Sequence, residues 1–152
     1  MKIALANREA TMALGRRLAP LLQAGDVLVL NGDLGAGKTT FTKGLAAGLG
    51  IQQMIKSPTF TIIREYQGGR LPLYHMDVYR LEAGGGQDLG LEEYFDGDGI
   101  SVVEWAQFVA DELPTEYLSL TFTRTATENE RQLTVVPHGT RLTHVVEEWL
   151  HG

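Results

Sequence analysis

Gly32-Asp-Leu-Gly-Ala-Gly-Lys38-Thr39 carries the spacing G-x-x-x-x-G-K-[ST], a pattern suited to holding a polyphosphate. Its glycines let successive backbone N–H groups turn inward around an anion, and the positive end of a following helix adds its field. Lys38 is then expected to reach the outer phosphates, and the Thr39 hydroxyl to ligate the Mg²⁺ that accompanies them. A glycine-rich turn without chemistry would account for Gly32 and Gly37 but leaves Lys38-Thr39 unexplained. Context discriminates between the two, because the apolar run Val27-Leu-Val-Leu30 precedes the motif and a helix-compatible stretch, Thr40 to Leu49, follows it.

Two further segments carry ionisable groups. In His75-Met-Asp77-Val-Tyr79, strand alternation puts His75, Asp77 and Tyr79 on one face. That face supplies either a second magnesium-binding or water-positioning carboxylate near the phosphates, or the solvated side of an edge hairpin. His75 has no cysteine and no second histidine close in sequence, so it is not read as a metal ligand. Glu104 follows Val102-Val103 and precedes Trp105, at the margin of what should be buried. A buried carboxylate needs a cation, which Mg²⁺ or a salt bridge to an arginine would provide. Trp105 either covers the site or fills core. Ser57-Pro-Thr59-Phe60, beyond the P-loop helix, supplies hydroxyls of the kind that sense a terminal phosphate, or is a proline-initiated turn entering a strand.

The elements that must position these groups are legible as hydrophobic periodicity. Asn7 is an N-cap candidate for a helix whose stripe Met12, Leu14, Leu18, Leu21 and Leu22 reads as core. A strand at Val27–Asn31 leads into the P-loop, and a helix runs from Lys38 to about Leu49, stopped by Gly48 and Gly50. Phe60–Tyr66 and Leu71–Tyr79 form an antiparallel hairpin turned by Gly68-Gly69. Gly84-Gly-Gly86 opens a loop, and Leu89 to Phe95 makes a short helix before Gly97-Asp-Gly99. The strand Ile100–Val103 ends at Glu104-Trp105, the kind of strand terminus where α/β proteins place functional side chains, and a short amphipathic helix closed by Pro114 follows. Tyr117–Phe122 and Gln132–Val136 pair around the turn Arg124–Arg131, and Leu142 to Leu150 forms a final helix.

Residues 1–152, 43 % of them hydrophobic, read as a single domain with enough core to need no staples. No cysteine is present, which removes disulfides, thiolate zinc sites and cysteine nucleophiles and suits a reducing compartment. The apolar runs fall far short of the roughly 20 residues that span a bilayer, and Met1–Leu5 is too short for a signal-peptide core, so no membrane association and a cytoplasmic location are expected. A net charge of −6 argues against gripping nucleic acid unaided, so any role on RNA calls for a partner with a positive surface.

Taken together, Gly32-Asp-Leu-Gly-Ala-Gly-Lys-Thr-Thr-Phe41, Ser57-Pro-Thr-Phe60, His75-Met-Asp-Val-Tyr-Arg-Leu81 and Val103-Glu-Trp105 resemble the TsaE family in content, order and spacing. These are bacterial ATPases required for threonylcarbamoyladenosine formation on tRNA. The resemblance covers nearly the whole chain. It implies an α/β P-loop NTPase-like fold with a mixed central sheet flanked by helices, binding of ATP with Mg²⁺, and slow hydrolysis coupled to TsaD and TsaB, with tRNA reached only through that complex. It assigns nucleotide contacts to Leu34, Gly35, Ala36, Gly37, Lys38, Thr39 and Thr40, magnesium to Thr39 and Glu104, and catalytic roles to Lys38, Glu104 and Asp77. Ser57, Thr59 and Trp105 become candidate switch or coupling residues, and Arg8 a candidate base or ribose contact. Two departures stand out: Ala106 occupies a position where the family often has proline, and the turn Glu128–Arg131 lacks a run of arginines.

A small-molecule or nucleotide kinase would use the same P-loop but needs an acceptor pocket and usually an arginine-bearing lid, for which Arg80 and Arg124 are the only obvious candidates. A nucleotide-gated binding module with negligible turnover differs from the ATPase only in degree. No Asn-Lys-x-Asp motif for guanine recognition occurs, so ATP is the expected nucleotide.

Overall fold

In the computed structural model, residues 1–33, 36–55, 63–79 and 90–151 are described. Leu34 and Gly35, Ser57 to Phe60, Arg80, Gly84 to Gly86 and Leu89 lie outside these segments. Among the described residues, seven strands form one mixed sheet: β1 Lys2–Leu5, β2 Val27–Asn31, β3 Ile63–Tyr66, β4 Leu73–Asp77, β5 Ile100–Glu104, β6 Tyr117–Arg124 and β7 Arg131–His138. Their order across the sheet is β1-β7-β6-β2-β5-β4-β3. The central strands β6, β2, β5 and β4 run parallel, while hairpin partners β7 and β3 and the outer strand β1 run antiparallel to their neighbours. Both expected hairpins are present.

Strand alternation divides the core in two. Leu28, Leu30, Leu73, Val102, Leu118 and Leu120 face α1 (Arg8–Leu18), α2 (Lys38–Leu49) and α4 (Thr140–His151). Val27, Val29, Met76 and Val103 face the opposite way, onto α3 (Leu91–Phe95) and a 3₁₀ segment at Ala106–Glu112. Asn7 caps α1 as expected, its side chain accepting from the Ala10 N–H at 2.9 Å. Of the anticipated stripe, Leu14, Leu18 and Leu22 are buried and Met12 and Leu21 half-buried. α1 ends at Leu18, and Pro20 lies in a short 3₁₀ turn that carries the chain on.

Three features differ from the sequence reading. Gly48 lies inside α2 rather than stopping it: the helix ends at Gly50, whose φ of 85° suits a residue without a side chain. Gly44 and Gly48 instead mark where α1 crosses α2. A Cβ at Gly48 would sit 2.5 Å from the Arg16 carbonyl oxygen, and one at Gly44 would collide with that of Met12. β1 was not foreseen, because four residues give too short a pattern; it is fixed by β7, with Ile3 opposite Leu133. The segment after β5 is 3₁₀-helical with a kink at Val109, and Leu113 turns extended ahead of Pro114. No described helix is long and apolar enough to cross a membrane.

Candidate functional site

Parallel pairing of β2, β5 and β4 brings their carboxyl ends together. Leu30 and Asp77 both stand opposite Glu104, and partners in a parallel ladder point to the same face. With a period of two, His75 and Val102 join that face, which is the one that carries α1 and α2. The chain leaves β2 at Asn31, whose side-chain amide donates to Ser119 and Thr121 on β6, and turns through Gly32 at φ 136°. Gly37, at φ 118°, is the N-cap of α2 and accepts from the Phe41 N–H at 2.9 Å. The helix therefore presents its N-terminus and Lys38 to the carboxyl ends of β4 and β5.

Lys38 is 8 % exposed and its Nζ lies 3.5 Å from Glu104 Oε1. Glu104, 6 % exposed, uses its other oxygen: Oε2 is 2.6 Å from Nε2 of His75, which is fully buried. Burial alone would push the Glu104 carboxyl up, but the His75 hydrogen bond and the nearby His75 and Lys38 more than reverse this and hold it below the ordinary glutamate range. The cation beside Glu104 is thus a lysine, in place of the arginine considered as one alternative. Lys38 Nζ also stands 5.3 Å from the Trp105 ring centroid, within cation–π range.

Trp105 has φ 64°, the only non-glycine residue with positive φ among those described. For a bulky side chain this is a strained conformation, costing on the order of 1–3 kcal/mol. It directs the ring onto Lys38 and into a cluster with Tyr79, at 4.9 Å, and Phe108, at 6.1 Å. Trp105, half-buried, thus does both: its ring stands beside Lys38 and packs against the core on the α3 face of the sheet.

His75, Asp77 and Tyr79 do not share a solvated edge. β4 is internal, and β3 is the edge strand beside it. His75 is buried, Asp77 half-buried, and Tyr79 lies past the strand end, 48 % exposed. Asp77 stands next to Glu104 in register and accepts the Tyr79 N–H at 3.1 Å. The His75 contact with Glu104 went unforeseen, although the two-residue spacing of His75 and Asp77 already put both on one face. The missing information was that β4 pairs in parallel with β5.

Ala36 is buried, and Thr39 and Thr40 are half-buried in the first turn of α2. Leu34, Gly35, Ser57 and Thr59 lie outside the described residues. Arg8 is exposed at the start of α1, one turn from Thr11, whose Cγ2 lies 3.8 Å from where a Gly37 Cβ would project. The first turn of α1 thus borders Gly37 at the start of α2. Arg124 ends β6 at the same end of the sheet, opposite Arg131, whose guanidinium donates to the Glu128 and Glu130 carbonyls.

This donor set fits a magnesium–polyphosphate group. Gly32 lines a tight cradle, in which a Cβ would come within 2.6 Å of the Phe122 carbonyl oxygen. A buried ammonium and a single charged carboxylate meet at a helix N-terminus. Among the described residues no three His, Cys, Asp or Glu side chains gather to hold a metal.

Residues 5–133 match the family model described as "Threonylcarbamoyl adenosine biosynthesis protein TsaE". The chain is 53 % identical over 142 residues to the tRNA threonylcarbamoyladenosine biosynthesis protein TsaE of Bacillus subtilis, covering 93 % of this chain and 89 % of that one. It is 43 % identical over 149 residues to the protein of the same name from a Nostoc species, covering 95 % and 91 %. The crystal structure of Bacillus subtilis YdiB superposes with a TM-score of 0.87 at 47 % identity, over 99 % of this chain and 94 % of that one. With Lys38 at the start of α2, the His-x-Asp strand and the Glu-Trp terminus brought to one end of a mixed α/β sheet, the chain belongs to the TsaE family of tRNA threonylcarbamoyladenosine biosynthesis proteins.

Proposed function

We propose that this chain is an ATPase unit that binds ATP with Mg²⁺ at the N-terminus of α2 and hydrolyses it slowly, in step with threonylcarbamoylation of tRNA carried out with TsaD and TsaB. The observation that carries this reading is the convergence of Lys38 and Glu104, both buried, at the end of the P-loop. Bound Mg²⁺ would supply Lewis-acid stabilisation of charge developing on the phosphates, held by Thr39 and Glu104.

The chain's own residues do the rest. Lys38 exchanges its Glu104 partner for the β and γ phosphates, so nucleotide binding replaces one ion pair with another instead of desolvating a free ammonium. The backbone of residues 34–40 cradles the phosphates. Asp77, half-buried beside Glu104, orients the attacking water or holds magnesium through water. The Trp105 ring over Lys38 excludes water from that side. Arg8, exposed where α1 borders the start of α2, reaches the base or ribose. The net charge of −6 favours contact with tRNA through TsaD and TsaB rather than directly.

The test is complementation. In cells depleted of their own TsaE, threonylcarbamoyladenosine in digested tRNA, measured by mass spectrometry, should be restored by this chain and not by Lys38→Ala, and TsaD and TsaB should copurify with it. A nucleotide or small-molecule kinase would leave the modified nucleoside unrestored and would phosphorylate an acceptor without either partner.

A further inference from the structure

We propose that His75 is a positioning residue for Glu104: its Nε2–H donates to Oε2 and so presents Oε1 to Lys38 and the phosphate-binding end of α2. This rests on the nucleotide-binding reading above and adds a residue to it. His75 stands opposite Val102, so its ring reaches diagonally across the β4–β5 ladder to Glu104, two residues further along. Its neighbours on the sheet face include Leu73 and Val102, fully buried and apolar, and the half-buried Arg64 opposite it on β3. A polar ring in such a place is costly unless its hydrogen bond is made, and the 2.6 Å contact makes it.

The other ring nitrogen fixes the tautomer. Nδ1 is buried and has no hydrogen-bond partner among the described residues. A proton there would be a buried donor with no acceptor among the described residues, whereas a proton on Nε2 faces a carboxylate. The two Glu104 oxygens are thereby made inequivalent, one anchored by a rigid ring and the other, 3.5 Å from Lys38 Nζ, turned to the site. Lys38 cannot supply that anchoring, because its long flexible stem must move when phosphate arrives. Partners that orient a metal-binding side chain in this way are typically worth about 10–100-fold in metal affinity.

The experiment measures ATP affinity by calorimetry in Mg²⁺ and in EDTA, for wild type, His75→Leu and His75→Gln, each with Glu104 intact and as Glu104→Gln. His75→Leu should lose roughly tenfold or more of the affinity gained from Mg²⁺ while binding ATP in EDTA like wild type. His75→Gln, whose amide can still donate, should recover most of the gain, and in the Glu104→Gln background His75→Leu should cost nothing further. Nitrogen-15 NMR of the nucleotide-free protein should show the His75 proton on Nε2, with a signal that moves in Glu104→Gln. Should His75→Leu not fold, His75→Asn, too short to reach Glu104, takes its place. A variant that keeps the full Mg²⁺ gain, or that loses affinity equally in Mg²⁺ and EDTA, makes His75 a packing residue and overturns the proposal. If wild type itself gains no ATP affinity from Mg²⁺, the nucleotide reading has failed instead.

Discussion

Glu104 is the hinge of the site at the scale of single residues, because one carboxylate serves both Lys38 and His75. Its folded-state pKa is lowered, so the stability it contributes is present above the ordinary glutamate value and is lost as pH falls through the lowered one. In metal-free buffer the stability difference between wild type and Glu104→Gln should therefore shrink as pH is taken from neutral into that acid range. Thermal melts at stepped pH check this, and a constant difference would mean that the carboxylate is not held by these neighbours. Asp77 and Glu104 should differ in kind. As the proposed magnesium ligand, Glu104→Ala should weaken Mg²⁺-dependent ATP binding, whereas Asp77→Ala should leave binding near wild type and cut partner-stimulated turnover by about a hundredfold. Hydrolysis at the wild-type rate by both variants in the assembled complex would take both carboxylates out of the site. The sequence placed Lys38 and Glu104 at element ends, where the structure has them, but ran the second hairpin strand on to Tyr79, whereas β4 ends at Asp77. It could not pair His75 with Glu104, because that contact depends on which strands are neighbours across twenty-odd residues of intervening chain, and periodicity carries no such information.

At the scale of elements, the crossing of α1 over α2 sets how firmly the P-loop helix is held. Gly44 in a helix interior costs about 1 kcal/mol of propensity relative to alanine, so Gly44→Ala on an exposed helix would stabilise. Here the added Cβ would strike the Met12 carbonyl, and overpacking of that kind costs about 1–3 kcal/mol. Gly44→Ala should therefore lower the melting temperature, and a rise would show that the two helices can separate without loss. This close approach also explains why Gly48 misleads: the residue that looks like a stop is a contact, and only Gly50, with its positive φ, ends the helix. The hairpins, the P-loop strand and the final helix were legible because each repeats its own period over several residues. β1 was not, because four residues acquire their strand character from β7 rather than from their own pattern.

On the scale of the whole molecule, the sheet order collects functional groups from distant parts of the sequence at one end. Asn31, Asp77, Glu104 and Arg124 close parallel strands there, and Leu5 leads from β1 into Arg8 at the same end. The acidic balance of the chain bears on what that end can meet. Gel-shift titration of tRNA at near-physiological salt should give weak binding by the chain alone and firm association only with TsaD and TsaB added. Tight, salt-sensitive binding by the isolated chain would refute a partner-dependent encounter.

Calorimetric titration of ATP with Mg²⁺ into wild type and Lys38→Ala decides whether Lys38 and Glu104 form an ATP·Mg²⁺ site. Hydrogen bonds from a charged donor contribute about 1.5–3 kcal/mol, which is roughly 10–100-fold in affinity. Wild type should bind ATP with Mg²⁺, and Lys38→Ala should bind it weaker by that factor or not at all. Equal affinity in the two proteins, or no binding by wild type, would leave Lys38 and Glu104 without a nucleotide to hold.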